Sequence, residues 1–176
     1  MATWTIGSGG LIGSAINARA SHPFIGPSIP WADPDAAQQA LSRGLNDFVA
    51  ATTGEPWSII WAAGAGTTAS PPEVFEPEIR TFSIFLEHLR VQAPPGPGIL
   101  GLISSAGGIH AGCPHPPFTS ETDPAPISAY GRAKLRQERL LAQVLGQEVP
   151  SIIFRVSNAY GPGQNLDKLQ GLVSRL

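Results

Sequence analysis

The 176-residue sequence predicts a doubly wound α/β fold, a parallel sheet with helices on both faces in three α/β/α layers. Three observations carry that prediction. Short apolar β-like runs alternate with segments of helical period along the chain. Two central runs, WSIIWA at 57–62 and ILGLI at 99–103, are apolar at nearly every position, as strands are when both faces are covered. The connectors are rich in glycine and proline, which suits tight turns between regular elements and not disorder.

The elements follow in order. Thr3 to Ile6 reads as a strand, and Leu11 to Ala20 as a helix that opens out of a glycine cluster. Ile29 to Trp31 reads as a weak second strand. Asp35 to Thr53 is helical, with Ala37, Leu41, Leu45, Phe48 and Val49 on one stripe. Trp57 to Ala62 is a strand, and Glu73 to Arg90 a helix with Ile79, Phe82, Phe85, Leu86 and Leu89 on one side. Ile99 to Ile103 is a strand, Ser128 to Leu145 a helix closed by Gly146, and Ser151 to Val156 a further strand. The tryptophans Trp4, Trp31, Trp57 and Trp61 fall on or beside strands and read as core.

Length and composition bound the function. The chain is of single-domain size and can bury a real core. A net charge of −2 without a basic stripe gives no footprint for nucleic acid. Cys113 is the only cysteine, so no internal disulfide forms and a reducing, cytoplasmic setting is expected. Neither a leader pattern nor an apolar run of membrane-spanning length is present, so a soluble protein is expected, with no membrane partner.

In a parallel sheet, ligands gather at the carboxyl ends of the strands. Four loops lie there, after Ile6, Ala62, Ile103 and Val156. The first is GSGGLIG, with Gly7, Gly10 and Gly13 three apart between a strand and a helix. That context is the dinucleotide-binding, Rossmann-type pattern. Gly7 permits the turn, Gly10 lets backbone approach a pyrophosphate, and Gly13 lets helix and strand pack closely. Asp33 stands at the distance where a carboxylate would bind the adenosine ribose, which favours NAD over NADP. It stands equally well as the N-cap of the helix beginning near Asp35.

In SAYGRAK, Tyr130 and Lys134 are four residues apart and therefore on one helix face. A phenol titrates near pH 10 when free, too high for a base at neutral pH. A neighbouring ammonium and a cationic nicotinamide would both favour the phenolate, so Lys134 is expected to acidify Tyr130 and to hold a ribose hydroxyl. LISSAGG places Ser104 and Ser105 at a strand end, where a hydroxyl can orient a reacting oxygen; paired serines also make turns. His110, Cys113 and His115 form H-x-x-C-x-H, but three groups on one proline-bracketed loop make a poor closed tetrahedral site, and no metal is expected.

Taken together, GSGGLIG, WAAGAG, LISSAGG, SAYGRAK and RVSNAYGPGQ resemble, in order and spacing, the extended short-chain dehydrogenase/reductases, and among them the NAD-dependent epimerase/dehydratase family. The resemblance implies that Gly7, Gly10 and Gly13, with Leu11 and Ile12, cradle the dinucleotide. Ala62, Ala63 and Gly64 would line the cofactor. Ser105, with Ser104 as the alternative, would join Tyr130 and Lys134 as the catalytic set. Ser104, His110, Arg155 and Asn158 would face the substrate, a nucleotide sugar or similar hydroxylated compound. Helices 73–90 and 128–145 would pair in a homodimer. Departures are Ile6 for a usual threonine, His110 for a common tyrosine, and no room for a third strand between Asp33 and Trp57. The family continues well past residue 176 into a substrate lobe that LDKLQGLVSRL at 166–176 would begin. The implied activity is hydride transfer with a tyrosine acid/base. A non-catalytic NAD-binding module and an NADP-dependent carbonyl reductase are the competing readings, and Asp33 counts against the latter.

Overall fold

The computed structural model describes residues 1–164; the segment expected to begin a substrate lobe, 166–176, lies outside them. The elements are β1 (Ala2–Ile6), α1 (Leu11–Arg19), β2 (His22–Phe24), α2 (Pro34–Thr52), β3 (Trp57–Trp61), α3 (Phe75–Val91), β4 (Gly98–Ser105), α4 (Ala106–Ile109), α5 (Ala129–Leu145) and β5 (Ser151–Val156). A single 3₁₀ turn, Pro72–Val74, leads into α3. The strands form one sheet in the order β2-β1-β3-β4-β5, with every pairing parallel.

Strand order reverses between β1 and β3, and Ile6 lies opposite Trp61 there. The two loops that leave these residues therefore emerge side by side, and Ala62 donates its N–H to the Ile6 carbonyl at 2.9 Å. That reversal is where a doubly wound sheet opens a ligand crevice.

The second strand differs from expectation. It is His22–Phe24, and Ile29–Trp31 is not a strand. β2 is an edge strand with β1 as its neighbour, so Pro23 removes no needed ladder donor. Ile29 lies between Pro27 and Pro30 and packs against the core from a loop. Trp31 is 47% exposed and meets Trp61 edge-on, so one of the four tryptophans is not core.

The helices start where local chemistry satisfies their orphan N–H groups. Asp33 Oδ1 accepts from the N–H groups of Asp35 and Ala36, with Pro34 at the first turn of α2. Ser128 Oγ accepts from Gly131 N–H to open α5. The main core joins α2 (Leu41, Leu45, Phe48), α3 (Phe82, Phe85, Leu86, Leu89) and α5 (Leu141, Leu145) to one sheet face. That face carries Trp4, Ile6, Ile59, Trp61, Leu100 and Leu102.

Alternate strand residues point to the other face. There Thr3 and Ser58 share a buried 2.9 Å hydrogen bond. Leu11, Ile12, Ala15 and Ile16 of α1 line, with Thr3, Ser58 and Ile60, a groove of about 590 Å³ on that side. At the far edge Ile152, Ile153 and Phe154 of β5 stand exposed. Among the described residues no helix is long and apolar enough to cross a membrane.

This asymmetry has a measurable consequence. Phe82 is fully buried and its ring sits 4.9 Å from that of Trp61, so Phe82→Ala is expected to cost about 3–5 kcal/mol in denaturant unfolding. Ile152→Thr, on the exposed edge, should stay within about 0.5 kcal/mol.

Candidate functional site

The glycine turn is built by close backbone approach. Gly7 has φ +91°, and a Cβ there would lie 2.6 Å from Ala63 N and 2.8 Å from the Ala62 carbonyl carbon. A Cβ on Gly13 would run into the Gly7 carbonyl. Gly7 accepts from Gly10 N–H at 3.0 Å, and Gly10 caps α1 without a side chain. The first-turn N–H groups, at Leu11, Ile12 and Gly13, are thus left for a ligand. The side chains of Leu11 and Ile12 turn instead into the groove on the sheet's second face.

Beside the turn lies a cavity of about 360 Å³. Thr5, Gly7, Ser8, Gly9 and the segment Phe24–Ile29 line it, with Trp31 at its rim. Thr5 Oγ1 is buried there without a hydrogen-bond partner. Sequence reasoning missed Ser28 and its neighbours because it placed β2 too late. Asp33 is not among the lining residues; its carboxylate caps α2. The tip of β2 carries Ile25 and Gly26, where a ribose-binding carboxylate would have stood.

The second half of the site forms where α4 and α5 meet. A Cβ on Gly131 would collide with the Gly108 carbonyl. A Cβ on Gly108 would stand 3.1 Å from Tyr130 Cε1 and 3.2 Å from Ser105 Oγ. These two glycines let the short helix after β4, unforeseen in the sequence, lie directly against α5. Ser105 Oγ accepts from Gly108 N–H at 3.1 Å and lies with the Tyr130 ring against Gly108. Phe75 flanks Tyr130 with ring centroids 6.2 Å apart.

The two serines divide their work. Ser104 donates to Glu138 Oε1 at 2.6 Å in the interior, so its hydroxyl is engaged, whereas Ser105 faces Tyr130. Glu138 is 5% exposed and also accepts from Arg155 Nε at 3.1 Å and Nη2 at 2.8 Å. Paired with Glu138, the Arg155 guanidinium is held even more firmly protonated than usual. Arg155 Nη1 lies 3.3 Å from His110 Nε2. Arginine can only donate, so Nε2 accepts and the ring proton sits on Nδ1, 3.6 Å from Cys113 Sγ. The thiol donates onward to the Asp123 carbonyl at 3.2 Å. His110 is buried and stacked on Phe118. Asn158 is exposed on the loop beyond β5. Among the described residues no three His, Cys, Asp or Glu side chains group to hold a metal ion.

Lys134 donates to the Ile103 carbonyl at 3.3 Å and to Gln137 Oε1 at 3.2 Å, with its ammonium 6.0 Å from the Tyr130 ring centroid. Burial pulls its pKa down, and the Glu78 and Glu138 carboxylates pull it back up. The Tyr130 phenol is pushed above its ordinary value by burial; the neighbouring Ser105 hydroxyl lowers it and Glu78 raises it. The acidification expected of Lys134 is therefore not what this arrangement supplies, because the ammonium is turned to its own acceptors. Glu78 and Glu138 were both missed. Glu138 was legible, since Tyr130, Lys134 and Glu138 recur every four residues on one face.

The fold and these residues define a Rossmann-type α/β domain. Residues 67–176 match the model of the NAD dependent epimerase/dehydratase family, and the chain belongs to that family. It is 46% identical over 52 residues to dTDP-L-rhamnose 4-epimerase of Burkholderia thailandensis, a stretch covering 29% of this chain and 14% of that relative. In fold it is similar to UDP-glucuronic acid 4-epimerase from Bacillus cereus in complex with UDP-glucuronic acid and NAD (TM-score 0.67, 22% identity, 95% of this chain, 60% of that one). It is similar as well to dTDP-4-dehydrorhamnose reductase from Bacillus anthracis in complex with NADP (TM-score 0.67, 17% identity, 93% of this chain, 56% of that one). The chain thus spans little more than half the length of these structures.

A stability prediction follows from the buried ion pair. Glu138→Ala strands the Arg155 guanidinium and the Ser104 hydroxyl, and should cost about 3 kcal/mol, the lower end for a broken buried pair because Arg155 reaches solvent. Glu76→Ala removes a bidentate but exposed contact with Arg136 and should cost about 0–1 kcal/mol in the same unfolding assay.

Proposed function

We propose that this chain is the cofactor-binding part of an NAD-dependent oxidoreductase of the epimerase, dehydratase or reductase kind, acting on a nucleotide sugar or a similar hydroxylated substrate. One observation carries the reading: the glycine turn after β1 is continuous, through Ala62, Ala63 and Gly64, with Lys134, Tyr130 and Ser105. A Cβ on Gly7 would touch Ala62 and Ala63, and one on Gly64 would stand 3.7 Å from Lys134 Nζ. A dinucleotide laid along that line would have its phosphates at the α1 N-terminus and its reactive end beside the phenol. The unpartnered Thr5 hydroxyl and the glycine cradle fit an adenosine at the opposite end.

Bound there, NAD supplies the hydride acceptor and donor. The chain's own residues do the rest. Tyr130 Oη exchanges a proton with the substrate hydroxyl or carbonyl, Ser105 Oγ orients that oxygen, and Lys134 holds a ribose hydroxyl. The dTDP-L-rhamnose 4-epimerase and UDP-glucuronic acid 4-epimerase similarities support a sugar-nucleotide substrate. The family match supports NAD, and the NADP complex of the similar reductase marks NADP as the alternative cofactor. Since Asp33 caps α2, discrimination rests on the tip of β2, which offers no cation to a 2′-phosphate. His110, Arg155 and Asn158 are assigned to the substrate side in the same reading, the first two held in the Glu138 network. Pairing of α3 with α5 across a homodimer, and a cytoplasmic setting suited to the free Cys113 thiol, belong to the same reading.

Calorimetric titration tests it. NAD is expected to bind more tightly than NADP. Gly13→Val should abolish binding of either, because its side chain would displace the Gly7 carbonyl. Tyr130→Phe should leave NAD affinity within about twofold, whereas Lys134→Met should weaken it by roughly tenfold, the loss of one charged hydrogen bond. Unchanged affinity in both Gly13→Val and Lys134→Met would overturn the reading.

A further inference from the structure

Glu78 lies in the first turn of α3. Its carboxylate is turned back on the loop after β3. Oε1 accepts from Ala65 N–H at 2.7 Å and from Gly66 N–H at 3.2 Å. A Cβ built on Gly64 would be 3.6 Å from Oε2 and 3.7 Å from Lys134 Nζ, so carboxylate and ammonium both come up to one backbone position. We infer that Glu78 is a positioning residue of the Tyr130–Lys134 site: its carboxylate clamps the Gly64–Gly66 loop and brings a negative charge up to the Lys134 ammonium. The inference rests on the cofactor reading above for its use, though not for its geometry.

The charges around the pair can be enumerated. From α3 comes Glu78; from α5 come Tyr130, Lys134 and Glu138; β4 contributes the Ser104 and Ser105 hydroxyls and β5 contributes Arg155, with His110 beyond α4. Glu138 is occupied by Arg155 and Ser104. Among the described residues Glu78 has only backbone donors in its hydrogen bonds, so its negative charge is left to act on Lys134 and Tyr130. It opposes the effect of burial on the amine and adds to the effect of burial on the phenol. A positive nicotinamide placed beside the pair would offset that charge, and the phenol would become a base only when the cofactor is in place.

The chain is suited to a direct test, since its two tyrosines are Tyr130 and Tyr160 and its two lysines Lys134 and Lys168. In a Tyr160→Phe background, phenolate absorbance reports Tyr130 alone, and ¹³C-lysine NMR reports the Lys134 ammonium. Glu78→Gln retains an oxygen that can accept from Ala65 N–H but removes the charge. Both midpoints are expected to fall, each by roughly half to one pH unit, the size of a single partly screened charge nearby. Glu78→Asp, which keeps the charge, should hold both midpoints close to the parent values. If Glu78 only clamps the loop, neither midpoint moves in Glu78→Gln, and that result overturns the inference. Should Glu78→Gln fail to fold, the Asp variant and a salt titration of the parent decide it: midpoints that do not move toward lower pH as salt screens the carboxylate also overturn it. Calorimetry with NAD on the same proteins reports separately on the cofactor reading, because the titrations need no cofactor.

Discussion

The candidate site depends on backbone meeting backbone where a Cβ cannot fit. Gly131 in the first turn of α5 lies against the Gly108 carbonyl of α4, and Gly13 of α1 lies against the Gly7 carbonyl. The first contact presses Tyr130 onto Ser105; the second brings the α1 N-terminus over the end of β1. Both sit at the carboxyl edge of a parallel sheet, where crossover helices must start close to the strand they follow. A single methyl group at either position would push apart the elements whose ends define the crevice. Packing density forbids such a shift from being absorbed quietly.

Glu138 is the counterpart of those contacts in polar chemistry. A buried carboxylate is costly unless its oxygens are satisfied, and three donors satisfy this one. In doing so it ties β4, α5 and β5 together beneath the site. Because Ser104 is bound downward to Glu138, Ser105 is the serine left to face the phenol. The division between two adjacent, chemically identical residues thus comes from strand alternation, which sends one hydroxyl inward and its neighbour out.

Much of the fold was legible because its signals are local. The apolar runs of β3 and β4, the stripes of α2, α3 and α5, and the Ser128 and Gly146 boundaries of α5 all stand in the sequence within about two residues of where the structure has them. The failure at β2 has a physical origin. A three-residue edge strand containing Pro23 buries too little to show a pattern, and the apolar pair Ile29 and Trp31 nearby offered a false one. That displacement made Asp33 look like a residue at a strand tip. Its carboxylate caps α2, the other role its position allowed. The short helix α4 went unseen because AGGI has neither amphipathic period nor helix propensity; it forms because Ser105 caps it and α5 covers it.

The electrostatics of the Tyr130–Lys134 pair show where sequence spacing stops being informative. Four residues on a helix put two side chains on one face, and that much follows from the period alone. Spacing does not say which way an ammonium points, nor which charges other elements bring. Here the amine reaches back to the Ile103 carbonyl and to Gln137, while a carboxylate from α3 comes up beside Gly64. Burial and that carboxylate both favour the neutral phenol, and only the Ser105 hydroxyl opposes them. A tyrosine in such a setting is a proton store before it is a base. On the proposed cofactor reading, positive charge added at the crevice beyond Gly64 would convert it, and a cationic nicotinamide lying along the glycine turn would deliver charge to that place.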